Sequence, residues 1–490
     1  GSEFMPNLNE GTLLYMPTTL PGISITKSAE LLQTQDRIIK SFPEVESVLG
    51  KAGRAMTATD PAPTEMFETV INLKPEKEWR PGMTLDKLIA EMDKALQFPG
   101  VSNAWTQPIR ARIDMLSTGI RTPLGIKVFG KDLTQIEETA KQIETVLHNV
   151  KGTSSAYAER VTGGYYLNID PDRMALARYG LTVGDLQDVI TTALGGETVT
   201  TTVEGRERYT VNVRYPRDFR SDPQAIAEQI LVPVTSGAMV PLGQVAHISL
   251  AQGPSTIRTE NAQLAGYIYI DVHDRDIGGY VADAQKAIRD QIKLPSGTYL
   301  VWSGQFEYMQ RAIAKLKIVV PVTLLIIFTL LYLNFGRMTE ALIVFLSLPF
   351  SLVGGLWLMY WLGFNFSVAV AVGFIALAGV AAQTGVIMLV YLDHAYEKMK
   401  ANRQDQQITT TDLYAAIMEG AVDRVRPKMM TVTAIMAGLL PIMWSSGTGS
   451  EVMQRIAVPM LGGMISSTIL TLVVIPVVYA LIKRNREAMS

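Results

Sequence analysis

From Ile318 onward the chain runs through long stretches that carry no charged residue: Ile318–Asn334, Ala341–Leu392, Met429–Ser450 and Ile456–Ile482. A helix needs roughly 20 apolar residues to cross the hydrocarbon core of a bilayer, where a charge is costly. Charge-free lengths of this kind serve no purpose in a soluble core. The second run is long enough for two crossings joined at the "GFNFS" turn. Five membrane-spanning helices are therefore predicted, over about 315–335, 340–362, 366–392, 428–447 and 455–482.

The loops orient these spans. Arg337, Lys398, Lys400, Arg403, Arg424, Arg426, Lys428, Lys483, Arg484 and Arg486 collect on one side, whereas "GFNFS" and "SSGTGS" contain no Lys or Arg. The basic side is expected to be cytoplasmic. Five spans then put residues 1 to about 310 on the opposite side, which in a bacterium is the periplasm. The expected location is the bacterial inner membrane, multi-pass, with a large periplasmic domain. Thr411–Arg426 reads as an amphipathic helix with Leu413, Ile417, Ala421 and Val425 on one side, and is expected to lie along the inner membrane surface.

Residues 1 to about 310 repeat one theme, strand–helix–strand. It runs through "GTLLYMPTT", "SITKSAELLQTQDRIIKSF" and "EVESVLGKAG", and again through "EMFETVINLKP", "TLDKLIAEMDKAL" and "VSNAWTQP". It returns at "PLGIKVFG", "DLTQIEETAKQIETVLHNV" and "GTSSAYAER", and a fourth time from "LAGYIYIDVHD" to "GTYLVWSGQ". Paired βαβ units imply α+β, ferredoxin-like subdomains. A different, strand-rich stretch separates the third and fourth units. The expected division is a first subdomain over 1–119, a second split between 120–160 and 261–310, an insert over 161–260, and an all-α membrane bundle of five helices over 311–490.

Composition narrows the chemistry. The net charge is −2, so nothing electrostatic points to nucleic acid. There is no cysteine, and the four histidines are scattered without the local spacing of a zinc site. No phosphate-binding glycine motif, nucleophile–base pair or carboxylate pair stands out, so neither an enzyme nor a resident cofactor is expected. No secretory signal pattern opens the chain, and "GSEF" reads either as a cloning remnant or as part of a longer protein. Methionine is abundant, at 23 residues, and most of these are expected to pack among membrane helices. Met115 is harder to place. "RIDMLSTGIR" sets it among Arg112, Asp114 and Arg121, in a run that reads as neither a clean helix face nor a strand.

The order βαβ-βαβ, then βα with an insert, then five spans resembles the C-terminal half of a resistance-nodulation-division (RND) efflux permease. "GSEFMPNLNEGTL", "RIDMLSTGIRTPLGIKVFG", "GFIALAGVAAQTGVIMLVYLDHA" and "RVRPKMMTV" resemble its heavy-metal-efflux subclass, the copper/silver exporters of the CusA/SilA type. The resemblance implies a metal ion/proton antiporter that exports Cu(I) and Ag(I). It implies a homotrimer working with a periplasmic adaptor (membrane fusion) protein and an outer-membrane channel, with the insert as a docking domain and a metal chaperone as a further partner. It also makes "GSEF" native sequence. Two other functions stand beside it. An RND pump for organic compounds would call for an aromatic-rich pocket, against 8% aromatics overall. A translocation or receptor module of the superfamily would have a smaller periplasmic part.

Soft monovalent cations favour sulfur ligands, and without cysteine the remaining sulfur is methionine. The resemblance places a three-methionine site on Met16, Met66 and Met115, each at an element edge among polar neighbours. Arg112 and Arg121 offer no lone pair and are expected to gate the cleft through ion pairs. Met5, Met56, Met83 and Met92 are expected to be structural or to line the passage. Met359, Met388, Met429, Met430, Met436 and Met443, in or beside spans, are expected to pack, with a ladder of weak metal sites as the alternative.

For proton coupling, the family's relay lysine maps onto Lys428 and its relay carboxylate onto Gln383 of "GVAAQTGV". Glutamine cannot exchange a proton. Either Lys428 works with a carboxylate outside this chain, or the position has been changed to stop turnover. The alternative for Lys428 is an interfacial lysine that reaches out to water.

Overall fold

The computed structural model describes residues 1–6, 9–53, 62–254, 256–273, 275–402, 409–445 and 447–487. Met56 and Arg403 lie outside these residues. The chain is mixed helix and strand, with five helical segments long and apolar enough to cross a membrane.

Two sheets build the region before the spans. The first contains β1 (Thr12–Tyr15), β2 (Val45–Ala52), β3 (Phe67–Leu73) and β4 (Trp105–Thr106) in the order β2-β3-β1-β4, each pair antiparallel. α1 (Ile25–Lys40) links β1 to β2, and α2 (Leu85–Ala95) links β3 to β4. Both helices start on a hydroxyl cap: Ser24 accepts from the Lys27 N–H and Thr84 from the Lys87 N–H. Tyr15, Ile39, Ile71, Leu88 and Met92 fill the space between sheet and helices. α3 (Pro108–Thr118) then crosses to the second sheet. Pro108 opens it, and Gly119 closes it in the left-handed conformation, where glycine carries no Cβ penalty.

The second sheet contains β5 (Leu124–Gly130), β6 (Thr153–Ala158), β7 (Gln263–Val272) and β8 (Tyr299–Gly304) in the order β8-β5-β7-β6, again antiparallel. α4 (Leu133–His148) and α5 (Ile277–Gln291) cover it and bury Leu124, Ile126, Ile136, Ile268 and Val281. Between β6 and β7, the strands Gly164–Pro171 and Ala246–Gly253 pair with each other, as do the strands of the exposed hairpin Glu197–Glu204 and Glu207–Val213. This stretch has its own apolar cluster around Leu176, Leu186, Ile230 and Leu242. Arg258–Glu260 does not pair with these strands. It pairs with β7 of the second sheet.

The membrane segments are α6 (Gln305–Phe335), α7 (Met338–Trp361), α8 (Val368–Asn402), α9 (Thr410–Leu439), and α10 (Ser450–Ile469) continued through a π turn into α11 (Ile475–Glu487). α7 and α10 pack most closely at Gly354 and Gly462, where a methyl on either would run into the other's backbone carbonyl. The first residues are tied to this bundle. Ser2 bridges Phe366 in the turn between α7 and α8, and the Asn365 amide donates to Glu3 at 3.2 Å.

One expectation is corrected here. Thr411–Arg426 does not lie apart on the membrane surface: α9 runs unbroken from Thr410 through Pro427 into the fourth span. Leu413, Ile417 and Ala421 are buried in one cluster with Leu392, Tyr396 and Tyr479, so neighbouring helices cover that apolar face in place of lipid. Val425, the fourth residue of the expected stripe, is exposed.

Candidate functional site

The methionines singled out from the sequence come from three elements. Met16 directly follows β1 and donates its N–H to the Ala104 carbonyl at 2.9 Å. Met66 directly precedes β3 and bridges Thr18. Met115 lies inside α3, so "RIDMLSTGIR" is helical over most of its length. Periodicity hides that helix because the residues it buries are Ala111, Asp114 and Thr118, a small and polar face. The three methionines share one cluster: Met16 and Met66 are buried with Leu14, Ala62, Ala104 and Ala111, and Met115 packs half-buried against them.

A cavity of about 180 Å³ opens beside this cluster, lined by Met66 and Met115 together with Glu65, Glu68, Arg121 and Glu159. Its polar wall is organised. Glu159 accepts from Arg258 at 3.1 Å and from the Tyr269 hydroxyl at 2.8 Å. Burial, and Glu159 beside it, push the Tyr269 hydroxyl upward, so it stays a neutral donor. The Arg121 guanidinium lies 4.0 Å from the Tyr269 ring centre and donates to Thr18 Oγ1 at 2.6 Å. Its Nε is buried without a hydrogen-bond partner among the described residues. Arg112 is exposed on the outer face of α3. On that helix Asp114 is buried, which raises its carboxyl to about 6 against the opposing pull of Arg110, 4.0 Å away. Thioether sulfur thus lies beside three carboxylates, Glu65, Glu68 and Glu159, with the guanidinium groups of Arg121, Arg160 and Arg258 in the same wall. Among the described residues, no three His, Cys, Asp or Glu side chains group as a metal site.

The other methionines separate from this cluster. Met92 is fully buried beneath the first sheet, with Met83 against the same core. Met5 lines a different cavity, between the sheet-bearing region and the turns at Asn365 and Glu451 of the helical bundle. Met359 and Met388 are buried in the bundle, Met436 and Met443 pack partly buried against it, and Met429 and Met430 are exposed.

In the bundle, Lys428 is 1% exposed and its ammonium has no hydrogen-bond partner among the described residues. It does not reach out to water, so the interfacial alternative does not describe it. Gln383 faces outward from the bundle, while its neighbour Thr384 is buried. No hydrogen bond joins it to Lys428. Lys483, read from the sequence only as a basic loop residue, is buried and paired with Glu340 and Asp393. The sequence offered one hint of this: Glu340 stands at the very edge of a charge-free run.

A family model for AcrB/AcrD/AcrF proteins matches residues 1–483. The chain is 53% identical over 493 residues to the cation efflux system protein SilA of Salmonella typhimurium, covering 100% of this chain and 47% of that protein. It is 53% identical over 488 residues to the cation efflux system protein CusA of Escherichia coli K12, covering 99% and 46%. Identity falls to 37% with the cobalt-zinc-cadmium resistance protein CzcA of Cupriavidus metallidurans, over 99% of this chain and 45% of that protein. A crystal structure of a heavy metal efflux pump superposes with a TM-score of 0.88 at 32% identity, covering 99% of this chain and 48% of that one. The chain therefore spans about half the length of the curated relatives it matches.

Proposed function

The chain belongs to the AcrB/AcrD/AcrF family, and from that membership we propose that it is the C-terminal half of a heavy-metal-efflux RND permease that exports Cu(I) and Ag(I) in exchange for protons. The observation that carries this reading is the meeting of Met16, Met66 and Met115, from three separate elements, beside one cavity in a chain without cysteine. Thioethers are neutral and soft, so they take a monovalent soft cation without releasing a proton. That suits cargo that must be let go. Glu65 and Glu68 supply attraction, and Arg121, lodged between Thr18 and Tyr269, holds the first subdomain to the second across the cleft. The higher identity to SilA and CusA than to CzcA favours the same reading over a cobalt, zinc or cadmium pump.

The strand order, the same in both sheets, supports two ferredoxin-like porter subdomains, the second split by a docking insert. On this reading the complete protein sits in a bacterial inner membrane with these subdomains in the periplasm. It forms a homotrimer and joins a periplasmic adaptor and an outer-membrane channel. Lys428 is the proton-carrying residue of this half. The test is Ag(I) addition to proteoliposomes of the complete permease. Metal-dependent proton release is expected, and is lost in Lys428→Met. Unchanged flux in that variant removes Lys428 from the relay, and no metal-dependent flux in the parent protein overturns the antiport.

A further inference from the structure

The insert leaves the second sheet and returns to it through one narrow neck. β6 ends at Ala158, and Glu159 is the first residue on the way out. The chain comes back through Arg258–Glu260, which pairs with β7. The two ends of the neck meet in a two-point ion pair. Arg258 Nη2 lies 3.1 Å from Glu159 Oε1, and Arg258 Nε 3.3 Å from Oε2. Two residues after Arg258, Glu260 holds the buried Lys127 of β5 at 2.8 Å. The register of this returning strand is set by a two-residue turn, Asn261–Ala262, with both residues in the left-handed conformation.

This neck is also a wall of the methionine cavity, where Glu159, Thr256 and Arg258 face Met66 and Met115. From it a continuous line of contacts runs to the methionines. Glu159 Oε1 accepts from both Arg258 and the Tyr269 hydroxyl. The Tyr269 ring carries the Arg121 guanidinium on its face, and Arg121 donates to Thr18. Thr18 stands two residues after Met16 and bridges Met66. Arg121 Nε has no hydrogen-bond partner among the described residues, so the placement of this guanidinium depends on the ring beneath it. A second line runs through Tyr267, on the same face of β7 as Tyr269. Arg258 stands 5.1 Å from the Tyr267 ring centre, and a Cβ on Gly119 would lie 3.2 Å from the Tyr267 hydroxyl. Gly119 closes α3, the helix of Met115.

We propose that Glu159 and Arg258 are positioning residues for the metal site: their ion pair closes the neck of the insert and keeps Tyr269 and Arg121 against Thr18, latching the cleft beside the methionines. A displacement of the insert that parts the pair frees the Tyr269 hydroxyl, loosens Arg121 and lets α3 move away from Met16 and Met66. Only the identity of the cargo rests on the metal-export reading; the latch stands without it.

The first test is hydrogen–deuterium exchange of the metal-free complete permease. In Arg258→Met, and separately in Glu159→Gln, amide exchange over residues 108–121 is expected to rise about tenfold, while α1 is unchanged. Arg121→Met should raise it to a similar extent, and the double variant Arg258→Met/Arg121→Met no further, because both act on one latch. Arg80→Met, which strips the fully buried Glu44 of its partner in the first subdomain, is the control for general loss of stability and should leave residues 108–121 as in the parent. The second test is stopped-flow mixing with Ag(I), where Arg258→Met should speed both entry and exit about tenfold and Arg80→Met neither. Exchange unmoved in Arg258→Met, effects that multiply in the double variant, or unchanged rates in a protein that does bind Ag(I) overturns the proposal. If exchange behaves as expected but the parent binds no Ag(I), the latch stands and the metal reading alone falls.

Discussion

Met115→Leu separates a ligand role from a packing role, because it removes the sulfur and nearly preserves the volume. Met115 is half-buried at the edge of the cluster that holds Met16 and Met66. A volume-conserving apolar exchange in a full core costs less than about 1.5 kcal/mol, and at a half-buried helix position about half of that. Truncation to alanine would be less informative, since at a buried site it removes about 2–5 kcal/mol and loosens the cleft. The stability loss expected of Met115→Leu is therefore under about 1 kcal/mol. Binding is expected to change far more. One of three converging thioethers disappears, and affinity for Ag(I) should fall at least tenfold, about 1.4 kcal/mol or more. Met92→Leu is the matched control: the same chemical change at a fully buried methionine in a separate core, beneath the first sheet. Isothermal titration of Ag(I) into the purified protein reads the binding, and thermal melting reads the stability. Parent affinity in Met115→Leu refutes the ligand assignment. An equal loss in Met92→Leu shows that the effect arises from packing.

Because thioethers carry no titrating proton, Ag(I) affinity should be nearly flat between about pH 6 and 8, and titration across that range should show no proton release on binding. Asp271, at the junction cavity, is raised to about 6 by burial, against the pull of the Trp105 backbone N–H and His273. Its folded value lies above the unfolded one, so the parent loses stability as pH rises from about 4 through 6. Asp271→Asn should match the parent below about pH 4 and be more stable above about pH 6, on the order of 2 kcal/mol, as read by melts across pH. Gly354→Leu should lower stability by about 3 kcal/mol or more, because the side chain meets the backbone of α10 at Gly462, whereas Gly379→Ala, with open space around it, should be tolerated. Gln383→Glu should keep or raise the metal-driven proton flux; a fall would mark the glutamine as a working part of the pump.

The spans were legible because a bilayer leaves a chain few choices. Any segment that crosses it must satisfy its own backbone and carry almost no charge, and that requirement is written residue by residue in Ile318–Asn334 and its successors. The strand–helix–strand repeats were legible for a similar local reason, since caps such as Ser24 and Thr84 and alternating strands act within a few residues. The helix around Met115 was not, because its buried face is small and polar, and so invisible to hydrophobic periodicity. Nor was the packing of Leu413, Ile417 and Ala421: an amphipathic face states that something apolar will cover it, and lipid and protein satisfy that equally. Pairing across the chain lies furthest beyond local pattern. Lys483 resembles its neighbour Arg484 on the page, yet it is held between Glu340 and Asp393, while Lys428 is buried without a partner among the described residues. Charge counts and spacing say which residues are dear to bury. Which of them are buried, and beside what, depends on how distant helices and sheets come to rest against one another.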